Sequence, residues 1–279
     1  GNWDFQIVKT GDKLNLGKRT LTFLEAPMLH WPDSMFTYCP EEELLLPNDA
    51  FGQHYATAAR FDDGVDAGAL MDEAAKYYAN ILWPLSSLVI KKIEDVKKLN
   101  IPIKIIAPSH GIIWRKDPGK ILNAYVSWAS NETKKKAVIV YETMWGATEK
   151  MARKMAEGLI EEGIETKVFD INQSDRTEVV KEMLDAKGFL IGSSTHDTDM
   201  LPSIAGFLSF FKGLKAKNRI ASVFGSYGWA GGAVKTMEGI LKESGINVLP
   251  SLSIRYVPDE KELISCYEFG KTFAESVKK

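Results

Sequence analysis

The sequence predicts an α/β protein in two parts: a doubly wound parallel five-stranded sheet over residues 134–279, preceded over residues 1–133 by a sheet layered with helices. Three observations carry this. From residue 137 onward, short apolar runs alternate with amphipathic stretches, which is the rhythm of strand–helix–strand units. Residues 1–130 instead place several short strands first and two long helical stretches after them. Between the two lies Ser130-Asn131-Glu132-Thr133-Lys134-Lys135-Lys136, polar and charged, which reads as a linker.

In the first part, the chain opens Gly-Asn-Trp-Asp rather than with Met and enters strand-like sequence at Phe5–Lys9, as though in mid-domain. Thr20–Leu24 alternates like a half-buried strand, and Ser34–Tyr38 and Glu43–Leu46 read as strands as well. Helical stretches are expected over about 67–82 and 85–98, then a buried strand at Lys104–Ala107. In the second part, strands are expected near 137–141, 165–169, 188–192, 219–224 and 247–255, with helices near 147–162, 175–186, 203–214, 231–244 and 259–277. Right-handed crossovers then put helices on both faces of the sheet.

Composition narrows the function. Of 279 residues, 45% are apolar, enough for full cores. A net charge of −2 points to neither nucleic acid nor an anionic membrane. Cys39 and Cys266 make neither a disulfide framework nor a metal cluster, which suits a reducing, cytoplasmic setting. No apolar run approaches the roughly 18 residues of a membrane span.

The most informative stretch is Tyr141-Glu142-Thr143-Met144-Trp145-Gly146-Ala147-Thr148-Glu149. It joins the apolar run Ala137–Val140 to an amphipathic segment, so a buried strand turns tightly into a helix. A helix N-terminus presents unpaired N–H groups and partial positive charge. With Thr143, Gly146 and Thr148 in the turn, that makes a cradle for a phosphate, although such a turn is also often no more than a helix cap. The G-K-[ST] and G-x-G-x-x-G endings of other nucleotide loops are absent. Two further strands end in similar loops: Ser193-Ser194-Thr195-His196-Asp197, and Gly225-Ser226-Tyr227-Gly228-Trp229-Ala230-Gly231-Gly232. Ligands of open α/β sheets bind beyond the carboxyl ends of strands, at the switch point. Trp145, Tyr227 and Trp229 are placed to flank a planar ring.

A second constellation lies in the first part. His30, Asp49 and His110 each follow an apolar run and sit beside Pro or Gly, and imidazole with carboxylate suits iron or zinc. Singly, each also reads as an ordinary turn or surface residue. His54 is read either as a group orienting one of these side chains or as a surface histidine.

Together these motifs resemble the flavodiiron proteins, the A-type flavoprotein family. M-L-H-W-P-D-S-M-F-T-Y, L-P-N-D-A-F-G-Q-H and I-A-P-S-H-G-I-I-W-R resemble its later metal-ligand segments, and the spacings of 19 and 61 residues between His30, Asp49 and His110 match. Y-x-T-M-W-x-x-T-E and F-G-x-Y-G-W-x-G-G resemble its flavin loops. The resemblance implies the C-terminal part of an αββα metallo-β-lactamase-like diiron domain over 1–133 and a flavodoxin-like domain over 134–279. It implies FMN held by Thr143, Met144, Trp145, Gly146, Ala147, Thr148, Ser194, Thr195, His196, Asp197, Ser226, Tyr227, Gly228, Trp229 and Gly231. It implies two non-haem irons, with His30 and His110 on one each and Asp49 bridging. It further implies an oxidoreductase that takes electrons from a rubredoxin-like or other redox donor and reduces dioxygen to water or nitric oxide to nitrous oxide, as a head-to-tail homodimer or tetramer. The family's H-x-E-x-D-H segment is absent from this sequence, whose histidines are His30, His54, His110 and His196. The chain thus resembles a piece that starts after that segment, and a separate chain is one source for it. An FMN electron-transfer module with an incomplete metal site is the alternative, and a zinc hydrolase, which has no use for FMN, is a third.

Overall fold

The computed structural model describes residues 2–279 and divides into two compact units, one ending at Ser130 and the other Asn131–Lys279. The first unit carries β1 (Lys13–Asn15), β2 (Thr20–Glu25), β3 (Met35–Cys39), β4 (Leu44–Leu46), α1 (Ala67–Tyr77), α2 (Ser86–Lys98), β5 (Ile105–Ile106) and α3 (Pro118–Ala129). Its sheet runs β1-β2-β3-β4-β5, antiparallel as far as β4 and parallel between β4 and β5. Leu70, Ala74 and Tyr77 of α1, Val89 and Ile93 of α2, and Ile121 and Tyr125 of α3 are buried, at the three- and four-residue spacing that aligns side chains on one helix face. Asp66 and Asp117 cap α1 and α3 by accepting the amides of Ala69 and Lys120.

Three sequence expectations change here. Phe5–Lys9 forms no strand; Trp3, Phe5 and Ile7 are exposed and the first strand is β1. The stretch 67–82 is not one α-helix: beyond α1 the helical path widens to a π-turn at Tyr78–Leu82, then tightens at Trp83–Leu85, where Pro84 lacks the N–H a regular turn needs. α3 adds a helix beyond those expected, and Asp117-Pro118 is a clear start for it.

The second unit carries β6 (Lys134–Glu142), α4 (Ala147–Glu161), β7 (Glu165–Asp170), α5 (Arg176–Met183), β8 (Ala186–His196), β9 (Asp199–Met200), α6 (Pro202–Leu214), β10 (Ile220–Tyr227), α7 (Ala233–Glu243), β11 (Asn247–Val248), β12 (Leu252–Arg255) and α8 (Glu260–Val277). The parallel order is β7-β6-β8-β10, with β11 and β12 both on β10. This is the 2-1-3-4-5 order of a doubly wound sheet, and its switch point lies between β6 and β8. The fifth strand position is split, because Leu249-Pro250-Ser251 interrupts the expected run 247–255. Only β9 runs antiparallel, folding back on the end of β8. Val138, Ile139 and Val140 of β6 and Phe189 and Leu190 of β8 have no solvent exposure, as central strands covered on both faces require.

The charged stretch 130–136 is a linker only at its start. Lys134–Lys136 already belongs to β6, and the Lys136 side chain is 6% exposed, with Nζ 2.7 Å from Glu182 and 2.8 Å from Asp185.

Candidate functional site

The carboxyl ends of β6, β8, β10 and β12 surround a cavity of about 580 Å³. Met144, Trp145, Ala147, Ser194, Thr195, His196, Asp197, Ser226, Tyr227, Gly228 and Trp229, all singled out by sequence, line it. Thr198, Ala230, Tyr256 and Val257 line it as well. Sequence reading missed this last wall, because Tyr256 follows the interrupted fifth strand; its backbone N–H donates to Tyr227 O at 2.7 Å, which ties the β12 loop to the β10 loop. Trp145 and Trp229 are 85% and 90% exposed and stand at the lip.

Thr143, Gly146, Thr148 and Gly231 do not line the open space. Thr148 sits behind it, fully buried, with Oγ1 3.0 Å from Ser194 Oγ and 3.1 Å from Ser226 Oγ. These three hydroxyls tie the first turn of α4 to the ends of β8 and β10. The Met144 amide donates to Ser194 Oγ at 3.4 Å, drawing the first loop into the same knot. Glu142, the last residue of β6, accepts the Ser203 and Ile204 amides at 2.9 and 3.0 Å, so a carboxylate caps the N-terminus of α6.

The turn itself is left open to an anion. Gly146, at φ +78°, is the N-cap of α4 and has no side chain to satisfy the first amides of the helix. Thr143 Oγ1 is buried and has no hydrogen-bond partner. A buried hydroxyl without a partner is uncommon and calls for an explanation. A phosphate at the turn supplies one, so the residues fit a flavin mononucleotide on this observation, with the ring in the aromatic-lipped cavity.

In the first unit, His30, Asp49 and His110 come together although 80 residues separate the two histidines in sequence. His30 Nε2 lies 3.5 Å from Asp49 Oδ2, and His110 Nε2 lies 3.7 Å from Asp49 Oδ1. Each carboxylate oxygen therefore faces a different imidazole. Ser109 Oγ donates to Asp49 Oδ1 at 2.6 Å, and His110 Nδ1 is 3.2 Å from Gln53 O, contacts that fix the carboxylate and the ring. Gln53, which sequence reading passed over, is buried; its Nε2 donates to Phe51 O and Ile112 O, and its Oε1 accepts from Ile112 N. It clamps the Asp49 loop to the His110 loop. Gly52 is required there, since a Cβ would stand 2.7 Å from His110 Cε1. Asn48 and Phe51, on either side of Asp49, adopt φ of +58° and +67°, a conformation non-glycine residues avoid unless packing enforces it.

His54 is exposed, yet its ring lies 5.3 Å from that of His110 and edge-on to Tyr77 at 5.0 Å. Burial pushes the Tyr77 hydroxyl far above its ordinary value, and the nearby Asp49 carboxylate adds to the effect, so Tyr77 is a neutral wall beside the cluster. Among the described residues, no group of three or more His, Cys, Asp or Glu side chains forms a self-sufficient metal site. The donor set fits half of a two-ion centre: one imidazole and one carboxylate oxygen for each of two ions.

Fold and site together define a flavodoxin-type nucleotide domain joined to a β-lactamase-type metal domain. The flavodoxin model matches residues 139–270, and that of the ODP family beta lactamases matches residues 4–111. The chain is 56% identical to the nitric oxide reductase of Moorella thermoacetica over 275 residues, covering 98% of itself and 69% of that protein. It is 42% identical to the anaerobic nitric oxide reductase flavorubredoxin of Aeromonas hydrophila, covering 98% of itself and 56% of that protein. The structure superposes on rubredoxin oxygen:oxidoreductase of Desulfovibrio gigas with a TM-score of 0.96 at 36% identity, covering all of this chain and 70% of that one. It also superposes on the flavodiiron protein of Giardia intestinalis with a TM-score of 0.94 at 34% identity, covering 98% of this chain and 68% of that one. The chain belongs to the flavodiiron proteins, a family of oxidoreductases, and spans 56% to 70% of the length of these relatives. No helix among the described residues is long and apolar enough to cross a membrane.

Proposed function

We propose that this chain passes electrons from a small redox protein, through FMN held by residues 131–279, to a non-haem diiron centre to which His30, Asp49 and His110 contribute. Nitric oxide, reduced to nitrous oxide, is the first substrate in this reading and dioxygen, reduced to water, the second. A 56%-identical relative is named a nitric oxide reductase, whereas one at 44% is named a coenzyme F420H2 oxidase. A rubredoxin-like donor suits relatives named flavorubredoxin and rubredoxin oxygen:oxidoreductase. A head-to-tail homodimer or tetramer is part of the proposal, as is a domain boundary near residue 133.

The single observation that carries it is Asp49, whose two oxygens face two different histidines. A lone zinc site has no need of that arrangement; a bridged pair of ions has. When bound, FMN supplies one- and two-electron transfer, and the irons supply a Lewis-acidic site for a diatomic. The chain's own part is positioning. The Thr143 hydroxyl and the first amides of α4 would donate to the phosphate, so that helix dipole and hydrogen bonds meet its charge without a Lys or Arg in the loop. The hydroxyl knot at Thr148 holds the start of α4 against the ends of β8 and β10, and Trp145 and Trp229 would flank the ring. Ser109 and Gln53 orient Asp49 and His110.

Metal and flavin analysis of Asp49→Ala in the protein supplied with its remaining metal ligands, with nitric oxide consumption followed amperometrically, tests the reading. Flavin content should stay at the wild-type level while iron and gas reduction are lost. Retention of two irons and full activity would sink the bridging role. The competing reading, an FMN electron carrier with an inert metal region, is favoured by the incomplete donor set. It requires that the protein contain flavin and no iron even when the remaining metal ligands are supplied.

A further inference from the structure

The wall of the flavin cavity beyond the end of β12 is formed by Tyr256 and Val257. β12 stands three strand positions from β6, about 14 Å across the sheet, so this wall lies on the side away from the phosphate turn. Tyr256 adopts φ +64°, a conformation that a tyrosine keeps only where its surroundings hold it. Its N–H donates to Tyr227 O at 2.7 Å, and the edge of its ring meets Gly228, where a Cβ would stand 3.7 Å from Tyr256 Cε1. Yet Tyr256 is 59% exposed, so little packing fixes the ring itself.

Arg255, the last residue of β12, supplies what packing does not. Its Nε donates to Gly228 O at 2.9 Å, and its Nη2 donates to Tyr256 OH at 3.4 Å. The guanidinium carbon stands 5.0 Å from the centroid of the Tyr256 ring, within the range of a cation–π contact. One planar cation thus grips a backbone carbonyl of the β10 loop and the aromatic ring of the β12 loop, a task suited to the rigid fork of an arginine. Gly228 and Tyr256 both line the cavity, whereas Arg255 does not. We propose that Arg255 is a positioning residue for the flavin ring, which it serves by holding Gly228 and Tyr256 as one fixed wall. A wall that is ordered beforehand spares the ligand the cost of ordering it on binding. The inference rests on the FMN reading of the cavity.

The test titrates FMN, and riboflavin as the same ring without the phosphate, into the flavin-free 279-residue chain and follows flavin fluorescence. Arg255→Met keeps the stem and removes the guanidinium. It should weaken both ligands by the same factor, about threefold to tenfold. The apoprotein should melt within about 2 degrees of the wild type, as expected for an exposed side chain. A loss for FMN with riboflavin unchanged overturns the role, because Arg255 would then act on the phosphate by charge alone. Tyr256→Phe keeps the ring, and there Arg255→Met should cost the full factor. In Tyr256→Ala the ring is gone, and adding Arg255→Met should cost less than about twofold. An undiminished loss in that background overturns action through Tyr256. If the wild type binds FMN and Arg255→Met binds both ligands equally well, this inference fails and the FMN reading stands. If the wild type binds neither ligand, the FMN reading fails and takes this inference with it.

Discussion

Thr143, in the loop after β6, and Thr148, in the first turn of α4, stand five residues apart and differ in what their hydroxyls do. Thr148 Oγ1 has two partners at 3.0 and 3.1 Å, whereas Thr143 Oγ1 is buried with none. The consequence can be measured separately for each. Thr143→Val keeps the shape and removes a hydroxyl that does nothing in the empty protein, so the apoprotein should melt at the wild-type temperature. It should bind FMN about tenfold more weakly, the worth of roughly one charge-assisted hydrogen bond. Thr148→Val strips a partner from Ser194 and Ser226, so the apoprotein itself should lose about 1–2 kcal/mol of stability, a few degrees in Tm. Flavin-fluorescence titration with calorimetry of the apoproteins reads both. An unchanged FMN affinity in Thr143→Val would remove the phosphate from this turn. The residue types of this site were legible in the sequence; the division of labour between two threonines was not, because it depends on which neighbouring loop reaches back to meet each hydroxyl.

At the scale of elements, β6 illustrates what a charge pattern hides. Lys134-Lys135-Lys136 looks like a solvated linker, and Lys134 and Lys135 are exposed, but Lys136 points inward between Glu182 and Asp185. The pairing outweighs burial on all three groups. Burial, the largest single influence on Lys136, lowers its affinity for a proton, yet the bonds to Asp185 and Glu182 leave it above the ordinary value. Burial likewise acts to raise Asp185 and Glu182, and Lys134 and Lys136 on the one, Lys136 and Lys181 on the other, hold them low. A carboxyl depressed by folding stabilises above its unfolded value and loses that contribution as pH falls through the folded one. A raised lysine stabilises below its unfolded value and loses it as pH rises through the folded one. The cluster's contribution should therefore be level from about pH 5 to about pH 10 and fall away on both sides. Lys136→Met leaves two half-buried carboxylates facing apolar carbon and should cost roughly 3 kcal/mol at neutral pH. Urea denaturation of the flavin-free protein across pH should show the variant recovering toward wild type in acid, where the carboxyls are protonated; a pH-independent deficit would point to lost packing instead. Short continuous apolar runs between amphipathic stretches made β6, β8, β10 and their helices readable, because buried parallel strands are nearly pure hydrocarbon. β9, the π-turn and the break at Pro250 were not readable, because two- and five-residue elements carry no periodicity of their own.

For the whole molecule the decisive arithmetic is that of metal donors. His30 and His110 give one bond each, and Asp49 gives two if it bridges, so this sequence offers at most four protein bonds to two irons that each need several. The flavin cavity needs nothing further: its walls come from the ends of β6, β8, β10 and β12, all within Asn131–Lys279. The two halves of the chemistry should therefore separate. Expressed as these 279 residues alone, the chain should bind FMN at full stoichiometry and retain little iron after dialysis against a chelator, since metal affinity grows with ligand number and preorganisation. Reduced flavin without a metal acceptor still reacts slowly with dioxygen and releases hydrogen peroxide, whereas under the proposed function a loaded diiron centre would take it to water. An oxygen electrode with added catalase distinguishes these outcomes, because catalase returns oxygen only where peroxide has formed. The expected trace is slow uptake that catalase partly reverses, with no consumption of nitric oxide. Supplying the remaining ligands, as a longer chain or as a second polypeptide, should restore iron binding and make uptake fast and insensitive to catalase. Fast, catalase-insensitive uptake by the 279-residue chain alone would mean that other side chains in this sequence complete the centre, and His54, whose ring already lies 5.3 Å from that of His110, would be the first to replace by alanine.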